Sequence, residues 1–142
     1  MNELRKRAVA CLARREHSRA ELARKLAAHG SEEEIETVLT DLERQGLLSD
    51  VRFADAYLRS QGARSGDARL RRELRAKGVP AEVVDGRVRG LSDESGRARA
   101  VWARKFSAAP CDAKEWARQA RFLQGRGFSA ETIRRLLKNP AE

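Results

Sequence analysis

One helix ending comes three times in this chain. KLAAHG closes at Gly30, ELRAKG at Gly78 and FLQGRG at Gly127, at spacings of 48 and 49 residues. A leucine stands four positions before each glycine (Leu26, Leu74, Leu123), and an aliphatic residue follows five or six positions after it (Ile35, Val84, Ile133). Upstream segments echo one another too: CLAR at 11–14, YLRS at 57–60 and WARK at 102–105. A repeat of this length reads as tandem modules. In each, the glycine is expected to supply the left-handed residue that stops one helix and turns the chain into the next. A module of about 47 residues buries too little surface to be secure alone, so neighbours must lean on each other.

Helix starts are as regular as the stops. Ser18–Glu21 and Ser31–Glu34 have a capping residue with Glu three positions later, and Asp112–Glu115 is the Asp variant of the same box. Asn2, Asp50, Asp67, Ser92 and Ser129 are further candidate caps. Behind these signals the apolar spacing is helical: Leu4, Ala8, Cys11, Leu12; Leu22, Leu26; Ile35, Val38, Leu39, Leu42; Ile133, Leu136, Leu137. No stretch alternates as a strand would. The pattern predicts an all-α chain with about nine helices, near 3–15, 19–29, 32–45, 51–61, 68–77, 80–90, 93–106, 113–126 and 130–138. They group into three tandem three-helix repeats, bounded at 1–48, 49–91 and 92–142. Three globules of ~25 Å laid end to end give an expected elongated, curved arrangement about 70 Å long.

Charge narrows the partners. The 142 residues carry a net +9, and most of the 30 basic residues are arginine, which favours an anionic partner: nucleic acid, an acidic protein surface, or both. The sign is segregated. Residues 31–55 hold eight acidic and two basic side chains, whereas 59–77 hold seven basic and two acidic, and 97–126 hold eight basic and two acidic. In RRELRAKGVP (71–80), Arg71 and Arg75 stand four apart, so a helix makes them neighbours of like sign at a cost of roughly 0.2–0.5 kcal/mol. Glu73 can serve Arg69 or Lys77, which leaves nothing local for Arg71, Arg72 and Arg75 and points to a partner outside the chain. Arginine's planar fork binds phosphate or carboxylate bidentately. Asn, the usual reader of adenine, occurs only at 2 and 139, so backbone-type or protein-surface binding is better supported than operator recognition.

Chemistry is absent where it would be sought. His17 and His29 are not at ligand spacing from Cys11 or Cys111, so no metal site is nominated, and His17 reads as a structural residue at a helix junction. Gly62-Ala-Arg-Ser-Gly66 lacks the glycine gap and following Lys-Ser/Thr of a phosphate loop and reads as a turn. Trp102, Trp116, Phe53 and Phe122 read as core. No nucleophile–base pair can be named; the reading is of a non-enzyme with no cofactor. No apolar run approaches the ~20 residues that span a bilayer. No secretory leader is visible, and two cysteines a hundred residues apart suit a reducing cytoplasm.

Taken in order, REHSRAEL (15–22) with Lys25 and Leu26, GLLSDVRFADAYLRS (46–60), RLRRELRAKGV (69–79) and RFLQGRGFSAETI (121–133) resemble the RecX family of bacterial recombinase regulators over nearly the whole chain. Departures sit at Leu47, where the family often has an aromatic residue, at Ser49, often an acid, and at Asp67, often proline. The resemblance implies three tandem three-helix repeats. It also implies a regulator that binds the RecA recombinase filament and inhibits its extension, ATPase, strand exchange and coprotease activities, which would modulate recombinational DNA repair and the SOS response. Weak single- or double-stranded DNA binding is implied by the same likeness; together with the cysteine usage and the short apolar runs, the expectation is a cytoplasmic monomer without membrane association. On this reading Arg64, Arg69, Arg71, Arg72 and Arg75 face the filament, extended by Arg14, Arg15 and Arg19 of the first repeat and Arg118, Arg121 and Arg126 of the third. A helix-turn-helix-like DNA-binding protein is the alternative, and a helical scaffold charged only for solubility is a third reading.

Overall fold

A computed structural model describes residues 2–91 and 93–140. Among them are nine α-helices and no strand: α1 (Asn2–Arg14), α2 (Arg19–Leu26), α3 (Glu32–Arg44), α4 (Asp50–Gln61), α5 (Asp67–Ala76), α6 (Ala81–Arg89), α7 (Glu94–Lys105), α8 (Ala113–Gly125) and α9 (Ala130–Lys138). A single 3-10 turn, Gly62–Arg64, follows α4, where the sequence places a turn.

Caps explain most of the boundaries. Ser18 and Ser31 form complete capping boxes with Glu21 and Glu34, each side chain serving the other's backbone N–H. Asp112 accepts from the Glu115 amide and Ser129 from that of Thr132. Such a cap is worth about 1 kcal/mol relative to Ala. Two expected caps do other work. Ser49 accepts from the amide of Arg52 at the start of α4, while Asp50 accepts the Arg19 N–H. At α5 the amide of Leu70 donates to Gly66, and Asp67 is committed to Arg97. The side chain of Asn2 and the whole of Ser92 lie outside the described residues.

The glycine stops need a correction. Gly78 and Gly127 have φ of +87° and +91° and act as anticipated: Val79 and Phe128 donate back to Leu74 and Leu123, satisfying carbonyls that the helix end leaves open. Gly30 does not adopt a left-handed conformation; the positive-φ glycine of the first repeat is Gly46, after α3. A Cβ at Gly30 would sit 3.1 Å from the Leu4 side chain, so small size suits that position.

The chain divides into two compact units, Met1–Ala56 with Leu74–Arg87, and Tyr57–Glu73 with Val88–Glu142, the boundary falling inside α4, α5 and α6. In the first, α1 packs on α2 and α3 around Leu4, Ala8, Leu22, Leu26, Ile35, Val38, Leu39, Leu42 and Leu48. In the second, α7, α8 and α9 pack around Trp102, Phe106, Leu123, Phe128, Ile133, Leu136 and Leu137. Each fully buried aliphatic or aromatic side chain contributes roughly 1.5–3 kcal/mol. The three glycine-associated leucines, Leu26, Leu74 and Leu123, are all buried. Phe53 and Trp102 are core as expected and Phe122 packs against it, but Trp116 is 39% exposed.

End-on joints recur inside the units. In the first, the Ser18 hydroxyl at the start of α2 donates to the Lys77 carbonyl at the end of α5 (2.6 Å), and a Cβ on Gly78 would lie 2.2 Å from that of Ala20. In the second, the Gly66 amide before α5 donates to the Arg126 carbonyl after α8 (2.8 Å), and a Cβ on Gly127 would lie 2.3 Å from that of Arg69. Only glycine lets the backbones come this close.

Candidate interaction surface

Arginine function depends on what already holds the guanidinium. Arg15 follows α1 and places Nη1 and Nη2 at 3.2 and 2.5 Å from the two Glu21 oxygens, with Nη1 also donating to the Glu16 carbonyl. Burial pushes the Glu21 carboxyl up, but the hydrogen bond and charge of Arg15 outweigh it and hold the group below its ordinary range. Arg19, on the first turn of α2, reaches Glu43 and Glu36 of α3 at 2.5 and 2.8 Å and Thr40 at 3.3 Å. It is an internal clasp. Arg14 is exposed and engages no carboxylate among the described residues.

Along the middle of the chain the arginines differ again. Arg64 is exposed and donates to the Ser60 carbonyl (3.1 Å). Arg69 donates to Glu73 (3.3 Å), which also accepts the Tyr57 hydroxyl. The Tyr57 bond, then Arg69 and the field of Arg72, keep the Glu73 carboxyl low, while burial and Glu73 push the Tyr57 phenol up. Glu73 thus serves Arg69. The expectation that Arg71, Arg72 and Arg75 all lack local compensation needs narrowing. Arg71 is half-buried and engaged, and Arg72 lies in the field of Glu73. Arg75 is exposed with no carboxylate partner among the described residues.

In the third repeat aromatic rings join the carboxylates as partners. Arg118 grips Glu115 with two hydrogen bonds (3.0 and 2.6 Å), which with Gln119 hold that carboxyl down to about 2, and its guanidinium lies 5.0 Å from the Phe106 ring centre. Arg126 and Lys105 sit 5.4 and 5.5 Å from the Phe122 ring centre. Phe106 and Phe122 meet edge to face at 5.5 Å. Arg121 is exposed and engages no carboxylate among the described residues.

Sequence reasoning missed two cations in opposite senses. Lys105 belongs to the aromatic-backed face, and its place at the end of α7, beside Phe106, was the available signal. Arg97 counts among the basic residues of 97–126 but is buried: its guanidinium donates to the Ser65 carbonyl (3.3 Å) and pairs with Asp67. Glu94 completes that cluster by accepting from the Asp67 amide (3.0 Å) and the Thr132 hydroxyl (2.8 Å). Among the described residues no three His, Cys, Asp or Glu side chains are grouped to hold a metal, and no helix is long and apolar enough to cross a membrane.

Comparison with known proteins matches this architecture repeat by repeat. The first, second and third three-helix domains of RecX match residues 5–42, 49–86 and 93–137. The regulatory protein RecX of Leptothrix cholodnii is 48% identical over 95% of this chain and 87% of its own length. That of Ralstonia nicotianae is 42% identical over 95% and 86%. The crystal structure of RecX from Lactobacillus salivarius superposes with a TM-score of 0.86, covering 98% of this chain and 95% of that one, at 17% identity, a likeness of fold. Matched in all three domains and by close relatives along nearly its whole length, the chain belongs to the RecX family of regulatory proteins.

Proposed function

We propose that this protein binds the RecA recombinase filament and inhibits its extension, and with it ATP hydrolysis, strand exchange and coprotease activity, modulating recombinational repair and the SOS response. It acts as a cytoplasmic monomer of three repeats, bounded at 1–48, 49–91 and 92–142, and binds DNA only weakly by itself. The observation that carries the reading is family membership across all three domains. The exposed arginines support it: Arg72 and Arg75 on α5, with Arg64, Arg14 and Arg121, present charge that no carboxylate hydrogen-bonds among the described residues. Distributed over several modules, individually weak contacts to a polymer add as avidity.

The test is RecA ATPase on single-stranded DNA with this protein titrated below one molecule per recombinase. Inhibition in that range is expected, and its absence at equimolar protein refutes the proposal. Replacing Arg71, Arg72 and Arg75 with Ala is expected to leave the helical circular-dichroism signal intact and to weaken inhibition; unchanged inhibition removes α5 from the interface.

A further inference from the structure

Arg19 shows what the acidic side of α3 can hold. Its guanidinium sits on one stripe of that helix, Glu36, Thr40 and Glu43, spaced four and three residues apart. Toward the helix start the same stripe continues for a turn, to Glu32 and Glu33, four and three residues before Glu36. Both are exposed, and neither pairs with a cation among the described residues. Glu32 and Glu36 are neighbours of like sign, which weakens a helix unless a cation lies between them. First-turn acids favour a helix start, but Glu34 already serves the Ser31 cap, and the dipole does not account for Glu36 on the second turn.

The surface beside these acids gives them a use. Glu32 and Glu36 border a groove of about 400 Å³ between α2 and α3, whose apolar lining is Ala23, Ala27, Gly30 and Ile35. Arg24 stands on its α2 rim, so the acidic edge is the α3 one. Arg19 takes Oε2 of Glu36, whose side chain is still 63% exposed, and Oε1 is left for a second donor. We propose that this groove binds an arginine or lysine side chain of a protein partner, its stem against Ala23, Ala27 and Ile35 and its head between Glu32 and Glu36. The proposal rests on the filament reading only for the identity of that partner, the recombinase protein. Phosphate is repelled by the same carboxylates, so the groove faces protein and not nucleic acid. An exposed ion pair holds little by itself; the long apolar stem, covered by the groove while its head stays at the rim, is what makes a seat of it. Arginine fits best, because its fork can meet both carboxylates at once, as Arg19 does one turn further on.

The experiment has one arm without recombinase and one with it, both on the full-length protein. In the first, amide NMR spectra are titrated with a blocked arginine-containing peptide and with the same peptide carrying glutamine in place of arginine. Shifts concentrated in residues 23–36 are expected with the arginine peptide alone. They should vanish in E32K, which reverses the acid, and in A27W, which fills the groove from an exposed position. E82K is the control: Glu82 also stands in the first turn of a helix of this unit but does not line the groove, and its shifts should match the parent's. The spectra report directly that each variant is folded. No shifts, shifts only elsewhere, or shifts unchanged in E32K overturn the proposal. In the second arm, E32K and A27W are expected to raise the concentration for half-inhibition of RecA ATPase about 10-fold, and E82K to inhibit as the parent does. Groove variants that inhibit like the parent overturn the assignment to the recombinase. A parent that takes the peptide in the groove but does not inhibit RecA supports the seat and refutes the filament reading.

Discussion

The hydroxyl of Ser18 accepts the Glu21 amide at 3.0 Å and donates to the Lys77 carbonyl at 2.6 Å, so one side chain both caps α2 and holds the far end of α5. The Gly66 amide does the corresponding job at the other end of α5, on the Arg126 carbonyl. Each joint closes against a positive-φ glycine.

Gly78→Ala and Gly127→Ala should therefore be costly. A new Cβ would overlap Ala20 or Arg69 in a conformation that L side chains rarely adopt, and the two penalties together come to about 2–5 kcal/mol. Gly86→Ala is the control. It lies inside α6 with nothing within 4 Å of the new carbon, and should stabilise by about 0.5–1 kcal/mol. Urea denaturation of the three variants checks both signs; a Gly78→Ala protein as stable as the parent would contradict the joint.

Stability should fall as the medium is acidified through the histidine range. His17 is 1% exposed, its Nδ1 pairs with the Arg15 carbonyl at 3.0 Å, and its Nε2 lies 2.8 Å from the Lys25 ammonium. Burial is the largest influence and, joined by the charges of Arg15 and Lys25, pushes its pKa down past the upward pull of the Arg15 carbonyl hydrogen bond and of Glu21. Below the unfolded pKa of about 6.5 the unfolded chain binds the proton and the folded one resists it. The contribution of neutral His17 is complete above that value and declines beneath it. Denaturation midpoints at pH 7.5 and 5.5 should separate for the parent and draw together for His17→Gln.

Removing the anion from the buried pair should hurt more than removing both charges. The Arg97 side chain is 6% exposed and faces Asp67. Asp67→Ala strands a buried guanidinium, with an expected loss of about 3 kcal/mol. Arg97→Met/Asp67→Ala should recover part of it. A double variant less stable than Asp67→Ala in thermal melts would refute this account.

Arg19→Ala should destabilise by about 1–2 kcal/mol through lost packing and two partly exposed ion pairs. On the proposed function, any loss of RecA inhibition in that variant should track the unfolded fraction and recover at lower temperature. A defect that persists in fully folded protein would place Arg19 on the binding surface instead.

These contrasts mark where sequence reading ends. Helices were legible because caps and 3.6-residue spacing are local: Ser18, Ser31, Asp112 and Ser129 all cap where they stand. Repeats were legible because Leu26, Leu74 and Leu123 mark one buried position three times. The fate of an arginine was not, because its partner comes from another element. Glu36 and Glu43 find Arg19 across a turn, and Asp67 finds Arg97 thirty residues away. Gly30 shares its place in the period with Gly78 and Gly127 but not their positive φ, and the Leu4 side chain lies against it. Trp116 holds core spacing on α8 without being covered.

The ownership of residues 74–87 sets how the molecule can be dissected. That stretch belongs by sequence to the second repeat, yet it is part of the same compact unit as residues 1–56. A fragment cut at residue 48 would keep every leucine of the first core while losing the Lys77 carbonyl on which Ser18 rests, and with it the cover over Ala20. Excised pieces would then be frayed at the scar, and the intact polypeptide is the smallest honest specimen for studying any one repeat.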